Sequence, residues 1–106
     1  MIVAIFRSRL NPQHQDEYGT WAARLSELAR AVPGYRSHKG FSAADGERVT
    51  IVEFESEQGL QAWARHPEHV EAKKLGRKVF FEAYRVQVCS VLRDSEFSAP
   101  APRSPS

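Results

Sequence analysis

Residues 47–55, ERVTIVEFE, alternate along an extended chain: Val49, Ile51 and Glu53 point to one side, Thr50, Val52 and Phe54 to the other. Three further stretches have the length and composition of strands. IVAIFRSRL (2–10) is rich in β-branched and aromatic residues, YRSHKGFSA (35–43) is more polar, and YRVQVCSVLR (84–93) sets Val86, Val88 and Leu92 against Gln87, Cys89 and Val91. Between the first two, the apolar spacing becomes helical. Tyr18, Trp21, Ala22, Leu25, Leu28, Ala29 and Val32 form one stripe, with Arg24, Glu27 and Arg30 on the solvated side. Asn11-Pro12 predicts the start of this helix, Asn as N-cap and Pro at the first helical position; Pro33-Gly34 predicts its stop. Asp45-Gly46 is a hairpin-turn signal. Ser56 caps a second helix with Leu60, Trp63 and Ala64 as its buried stripe. Pro67 cannot continue it, because its ring clashes with the preceding turn and pushes His66 toward extended geometry. The expectation is a break, with His66 as N-cap and Pro67 opening a second helical run.

The resulting order, β-α-β-β-α-β, is the split βαβ arrangement of a ferredoxin-like α+β fold: a four-stranded antiparallel sheet with its helices on one face. The strands carry apolar residues on both faces, Val3 and Ile5 opposite Ile2, Ala4 and Phe6, and Ile51 opposite Val52. The face without helices therefore calls for a partner. Two such sheets packed together would make a homodimeric closed barrel and hide their edges. Residues 1–93 are expected to form the domain, and 94–106, rich in Pro and Ser, a loose tail.

A chain of 106 residues fits this single domain. Fifteen basic and 13 acidic residues, interleaved and not clustered, give a net charge of +2, too mild to argue for nucleic acid. No apolar run reaches the length of a membrane span, and the opening six apolar residues are too few for a secretory signal. A single cysteine, Cys89, excludes an intrachain disulfide, and its mid-strand place suggests a buried, inert thiol. A reducing cytoplasm is the simplest compartment.

Candidate chemistry gathers in WARHPEHVEAKKLGR (63–77). His66 and His69, three apart, can face one way on a helix, but the spacing is not that of HExxH and no third histidine stands nearby, so no metal site is assigned. Trp21 and Trp63 lie on apolar helix faces, as core or as the wall of a cavity. Arg7, Arg9, His38, Glu53, Arg85 and Gln87 are polar positions on strands. They are either exposed and paired between strands or, for Glu53, buried against an arginine in a cleft.

Three segments carry a resemblance. The opening strand followed by NPQHQDEY, then VEFESEQGLQAWARHPEH, then KKLGRKVFFEAYRVQVCSVLR make the chain similar, over about residues 1–93, to the antibiotic biosynthesis monooxygenase-like family of dimeric α/β-barrel proteins. Members of that family include cofactor-independent oxygenases that turn phenolic polycyclic molecules into quinones, and others that degrade haem or have no assigned activity. The haem-degrading branch matches Trp63 but places a histidine where this chain has Lys73, and an amide where it has Phe6 or Arg7. The cofactor-free branch implies a dry aromatic pocket and a group that moves a proton or steadies an anion. On that resemblance His66, His69 and Tyr84 are the expected catalytic residues, and Trp21, Phe41, Trp63 and Arg7 the expected substrate contacts. Trp21, Phe41, Trp63, His66, His69 and Tyr84 would line one cavity between helices and sheet. The expected activity is monooxygenation of a small aromatic or polyketide-like molecule without a cofactor; the alternative is a non-catalytic, ligand-binding or stress-related dimeric barrel.

Overall fold

The structure is a computed structural model that describes residues 1–100; the last part of the expected tail, residues 101–106, lies outside them. Strand β1 (Ile2–Leu10) leads through a 3-10 turn, Pro12–His14, into α1 (Gln15–Arg30). Strands β2 (Tyr35–Ser42) and β3 (Arg48–Phe54) form a hairpin, followed by α2 (Glu57–Ala64), α3 (Pro67–Leu75), a π turn at Gly76–Phe80 and β4 (Phe81–Ser90). The sheet is antiparallel throughout, in the order β2-β3-β1-β4. This is the expected ferredoxin-like α+β fold.

Local chemistry explains the boundaries. Asn11 Oδ1 accepts from the Gln13 amide at 3.1 Å, and Pro12 follows it where a missing N–H is harmless. Helix α1 ends at Arg30, two residues before the stripe predicts, because Pro33 bars Val32 from helical geometry; Gly34 then turns the chain at φ +90°. Gly46, also at φ +90°, closes the β2–β3 turn, with Ala43 donating to Glu47 across it at 2.8 Å. Ser56 caps α2 through its hydroxyl, 3.2 Å from the Gly59 amide.

One boundary needs correction. The last strand runs from Phe81 to Ser90, not over 84–93. The π turn winds the end of α3 back to the sheet and delivers Phe81 opposite Leu10, so aromatic residues that carry no alternating pattern begin the strand. Gly76 permits this turn: a β-carbon there would lie 2.9 Å from the Phe81 ring.

Register divides the strand residues between two faces. Ala4 pairs with Val52 and Val88, and Phe6 with Thr50 and Val86, on the helix side. The core sits there: Ala4, Ala29, Val52, Phe54 and Leu60 are buried, with Ile2, Val32, Tyr35 and Trp63 packed around them. Phe54 is fully buried, a burial that contributes about 2–3 kcal/mol. The other face carries Val3, Ile5, Val49, Ile51 and Phe41 together with Arg7, Lys39, Glu53, Arg85 and Gln87. Cys89 also lies there, opposite Val3. It is exposed in the single chain, not buried as expected, because no helix covers that face. The helix layer also stops short of β4, leaving Tyr84, Val86 and Val88 exposed on the helix side.

The candidate functional site

The helix break is built as the sequence implies. His66 is extended (φ −57°, ψ 135°), and its Nδ1 accepts from the Glu68 amide at 3.1 Å. The turn folds α3 back on α2, so that the His69 ring meets the Trp63 indole edge-on, centroids 4.4 Å apart. His69 Nδ1–H donates to the Trp63 carbonyl at 3.1 Å, and Trp63 Nε1–H donates to the Leu25 carbonyl of α1 at 2.9 Å. Burial, with the Lys73 charge nearby, pushes the His69 imidazole down to about 4, so the ring is neutral at pH 7. The arrangement spends the polar atoms of Trp63, the Nδ1 of His66 and the Nδ1 of His69 on joining helices.

Tyr84 lies elsewhere. It pairs with Ser8, whereas Trp63 packs on Phe54, whose strand partner is Ile2. Six residues of extended strand separate those rows, about 20 Å. Around Tyr84 the helix side of the sheet is aromatic. Phe6 lies 5.7 Å and Phe81 5.8 Å from its ring, and Phe81 in turn meets Tyr18 at 5.3 Å. Arg77 Nε–H, from the π turn, donates to the Tyr84 hydroxyl oxygen at 2.8 Å, and this bond holds the guanidinium more firmly in its charged form. Arg48 lies over the Tyr18 ring at 5.6 Å. Burial raises the Tyr18 phenol above its ordinary range, against the pull of Arg48. Tyr84 remains 40% exposed, so a face of this cluster is open to a ligand.

Beside it is an open cleft of about 240 Å³ lined by Arg7, Ser8, Arg9, Glu47, Ala83, Tyr84 and Arg85. Arg7 reaches Glu47 at 2.9 Å and Arg9 reaches Asp45 at 2.9 Å; both are exposed and paired, but from β1 to the β2–β3 turn and not from strand to strand. Glu53 is held by the Ser37 hydroxyl at 2.6 Å and not by an arginine. A larger open cleft of about 490 Å³ lies over the outer surface of α2, against Glu57, Gln58, Gln61, Ala62 and Arg65.

The six residues expected to line one cavity are therefore divided. Trp63, His66 and His69 gather at the helix break, and Tyr84 stands at the other end of the sheet. Trp21 is half-buried on α1. Phe41 faces away from the helices, because it pairs with Val49 on the same side as Arg7, where the Lys39 ammonium lies 5.6 Å from its ring. Arg77, Phe6 and Phe81 belong to the Tyr84 cluster and were not singled out by the sequence. The sequence signal for Phe81 is the aromatic run VFFEAY (79–84), two residues beyond Arg77, and Phe6 shows only as an apolar residue of the first strand. Among the described residues no group of three or more His, Cys, Asp or Glu side chains could hold a metal ion, and no helix is long and apolar enough to cross a membrane.

Residues 1–75 match the profile of the family described as antibiotic biosynthesis monooxygenase. Over 94 residues the chain is 33% identical to the uncharacterised protein YqjZ of Bacillus subtilis strain 168, covering 89% of this chain and 82% of that one. Among solved structures, Rv0793 from Mycobacterium tuberculosis superposes with a TM-score of 0.77 at 20% identity, covering 90% of this chain and 98% of that one. SnoaB from Streptomyces nogalater, described as a cofactor-independent oxygenase, superposes at 0.73 with 13% identity, covering 88% and 94%.

Proposed function

The chain belongs to the antibiotic biosynthesis monooxygenase family, and from that premise we propose that it oxidises a small aromatic or polyketide-like phenol with molecular oxygen and no cofactor. The observation that carries the reading is the Arg77–Tyr84 pair on its aromatic bed. With Arg77 donating to its oxygen, Tyr84 keeps its own O–H free to donate to a substrate oxygen. A donor polarised by a guanidinium steadies the anion a phenol forms on losing its proton. Phe6 and Phe81 would take the flat face of the substrate. The electron-rich anion itself reduces oxygen. One oxygen atom becomes a ring carbonyl in place of a CH2 and the other leaves as water, so the change balances without an added reductant.

In this reading Tyr84 is the catalytic residue. His66 and His69 serve as positioning residues, holding α2 and α3 with Trp63 so that the π turn and Arg77 fall where they do. Trp21 extends the apolar wall of α1. Phe41 and Arg7 lie on the helix-free face, where the proposal is a homodimer: Val3, Ile5, Val49 and Ile51 of two copies packed sheet to sheet would enclose that face and bury Cys89. The compartment proposed is the cytoplasm.

That both clefts are open in the single chain favours a second reading, a ligand-binding barrel without turnover. Oxygen uptake, followed with an electrode over a panel of phenolic bicyclic and tricyclic compounds, separates the two. Uptake with at least one compound, reduced about 10²-fold or more by Tyr84→Phe, supports catalysis. Binding seen by thermal shift without uptake supports the second reading.

A further inference from the structure

An unbroken line of rings crosses the core from one half-buried indole to one phenol with an imidazole on its hydroxyl. The Trp63 ring lies 5.9 Å from Phe54, and Phe54 lies 6.0 Å from Tyr35, centroid to centroid. The Tyr35 hydroxyl is 2.6 Å from His38 Nδ1. We propose that these residues form a relay for one-electron oxidation: a hole created on Trp63 moves to Tyr35, and His38 takes the phenolic proton.

The direction follows from what each polar atom meets. The Trp63 N–H points at the Leu25 carbonyl, which is no base, so an oxidised indole keeps its proton and stays strongly oxidising. Tyr35 has the opposite setting. Its hydroxyl is 2.6 Å from His38 Nδ1, and in the Nε2–H tautomer of the neutral ring that nitrogen accepts the O–H; burial, with the nearby Arg30 charge, lowers the His38 pKa and favours the neutral ring. Losing an electron and a proton together leaves a neutral phenoxyl. The other tyrosines are set against this: Tyr84 meets the Arg77 guanidinium and Tyr18 lies under Arg48, and a nearby cation opposes removal of an electron. Phe54 is not itself oxidised. Fully buried, it fills the space between donor and acceptor with packed atoms instead of water.

The electron count closes. A one-electron oxidant, such as a peroxyl or azidyl radical, takes an electron from Trp63. Tyr35 returns one to the indole and passes its proton to His38 Nδ1. A soluble one-electron reductant such as ascorbate then reduces the phenoxyl, and His38 gives the proton back. Tyr35 is only half-buried and lies on β2, an edge strand, where such a reductant can reach it. The relay would drain stray oxidising equivalents from the core whatever reaction the Tyr84 cluster performs.

Pulse radiolysis of the whole chain in azide solution tests this apart from any turnover. Azidyl radicals oxidise tryptophan first. The expected result is decay of the indolyl absorption matched by a rise of phenoxyl absorption, at a rate independent of protein concentration. Tyr35→Phe removes the matched rise, while Tyr84→Phe leaves it. His38→Gln slows it by about a hundredfold, the scale a positioned proton acceptor supplies, and added imidazole restores part of the rate. Trp21→Phe keeps the rise, which assigns the starting indole to Trp63. A phenoxyl rise unchanged in folded Tyr35→Phe, or a rate proportional to protein concentration, would overturn the relay. So would a His38→Gln rate equal to that of the parent chain.

Discussion

Trp63 and His69 are six positions apart and belong to different helices, yet their rings touch edge to face at 4.4 Å and His69 hydrogen-bonds the Trp63 carbonyl. A titratable ring thus sits inside the joint between α2 and α3, and acid should open that joint. The folded ring titrates near 4 and the unfolded one near 6.5. Above pH 6.5 both states are neutral and stability is at its plateau. As pH falls from 6.5 to 4 the unfolded chain binds the extra proton, so stability drops, by about 2 kcal/mol after allowing for the part of the ring that water reaches. His38, whose pKa is also lowered, adds in the same direction. Urea unfolding at a series of pH values should show the decline, and His69→Gln should flatten most of it. An equal slope in that variant would refute the assignment.

His66 caps α3 with a ring nitrogen where Ser, Asn or Asp would be usual. His66→Ala should lower stability by about 1 kcal/mol, and His66→Asn should recover most of it. Denaturant midpoints at constant m-value measure both. No loss in His66→Ala would show that Pro67 alone sets the break.

Gly76 connects folding to the Tyr84 cluster. A methyl group there would press on the Phe81 ring at 2.9 to 3.0 Å. Gly76→Ala should therefore destabilise by about 1–3 kcal/mol. It should also weaken binding of phenolic ligands, because Phe81 and Arg77 both move when the π turn shifts. Thermal shift with and without ligand reads the two effects; unchanged ligand affinity would detach the turn from the site.

The helix-free face should pair two copies. Light scattering is expected to give twice the chain mass of 12.0 kDa. Ile51→Glu, which puts a charge in the middle of that face, should give monomers that remain folded by circular dichroism. A parent chain that runs as a monomer would end the barrel model.

The fold was legible where sequence signals are local. Alternation assigns every residue of β3 to its correct face, and Pro67 announces the break. The start of β4 was not legible, because its place depends on a π turn that only packing of Gly76 against Phe81 explains. The candidate site was harder still. Phe41 looks like a pocket aromatic until the hairpin register assigns it to the far face. Arg77 and Tyr84 meet only because a turn and a strand bring them together. Tyr35 and His38 share a face through a bulge in β2 between Tyr35 and Ser37, which no periodicity displays.

The break between α2 and α3 has one more consequence. The Trp63 carbonyl accepts from both the His66 amide and the His69 ring, and the Ala64 carbonyl accepts from Lys73 Nζ. The kink is therefore a welded corner and not a hinge: atoms from the second arm fasten the end of the first. Their shared angle is carried by a few bonds at the elbow, which leaves the outward surfaces of both arms free to vary in sequence without bending the frame.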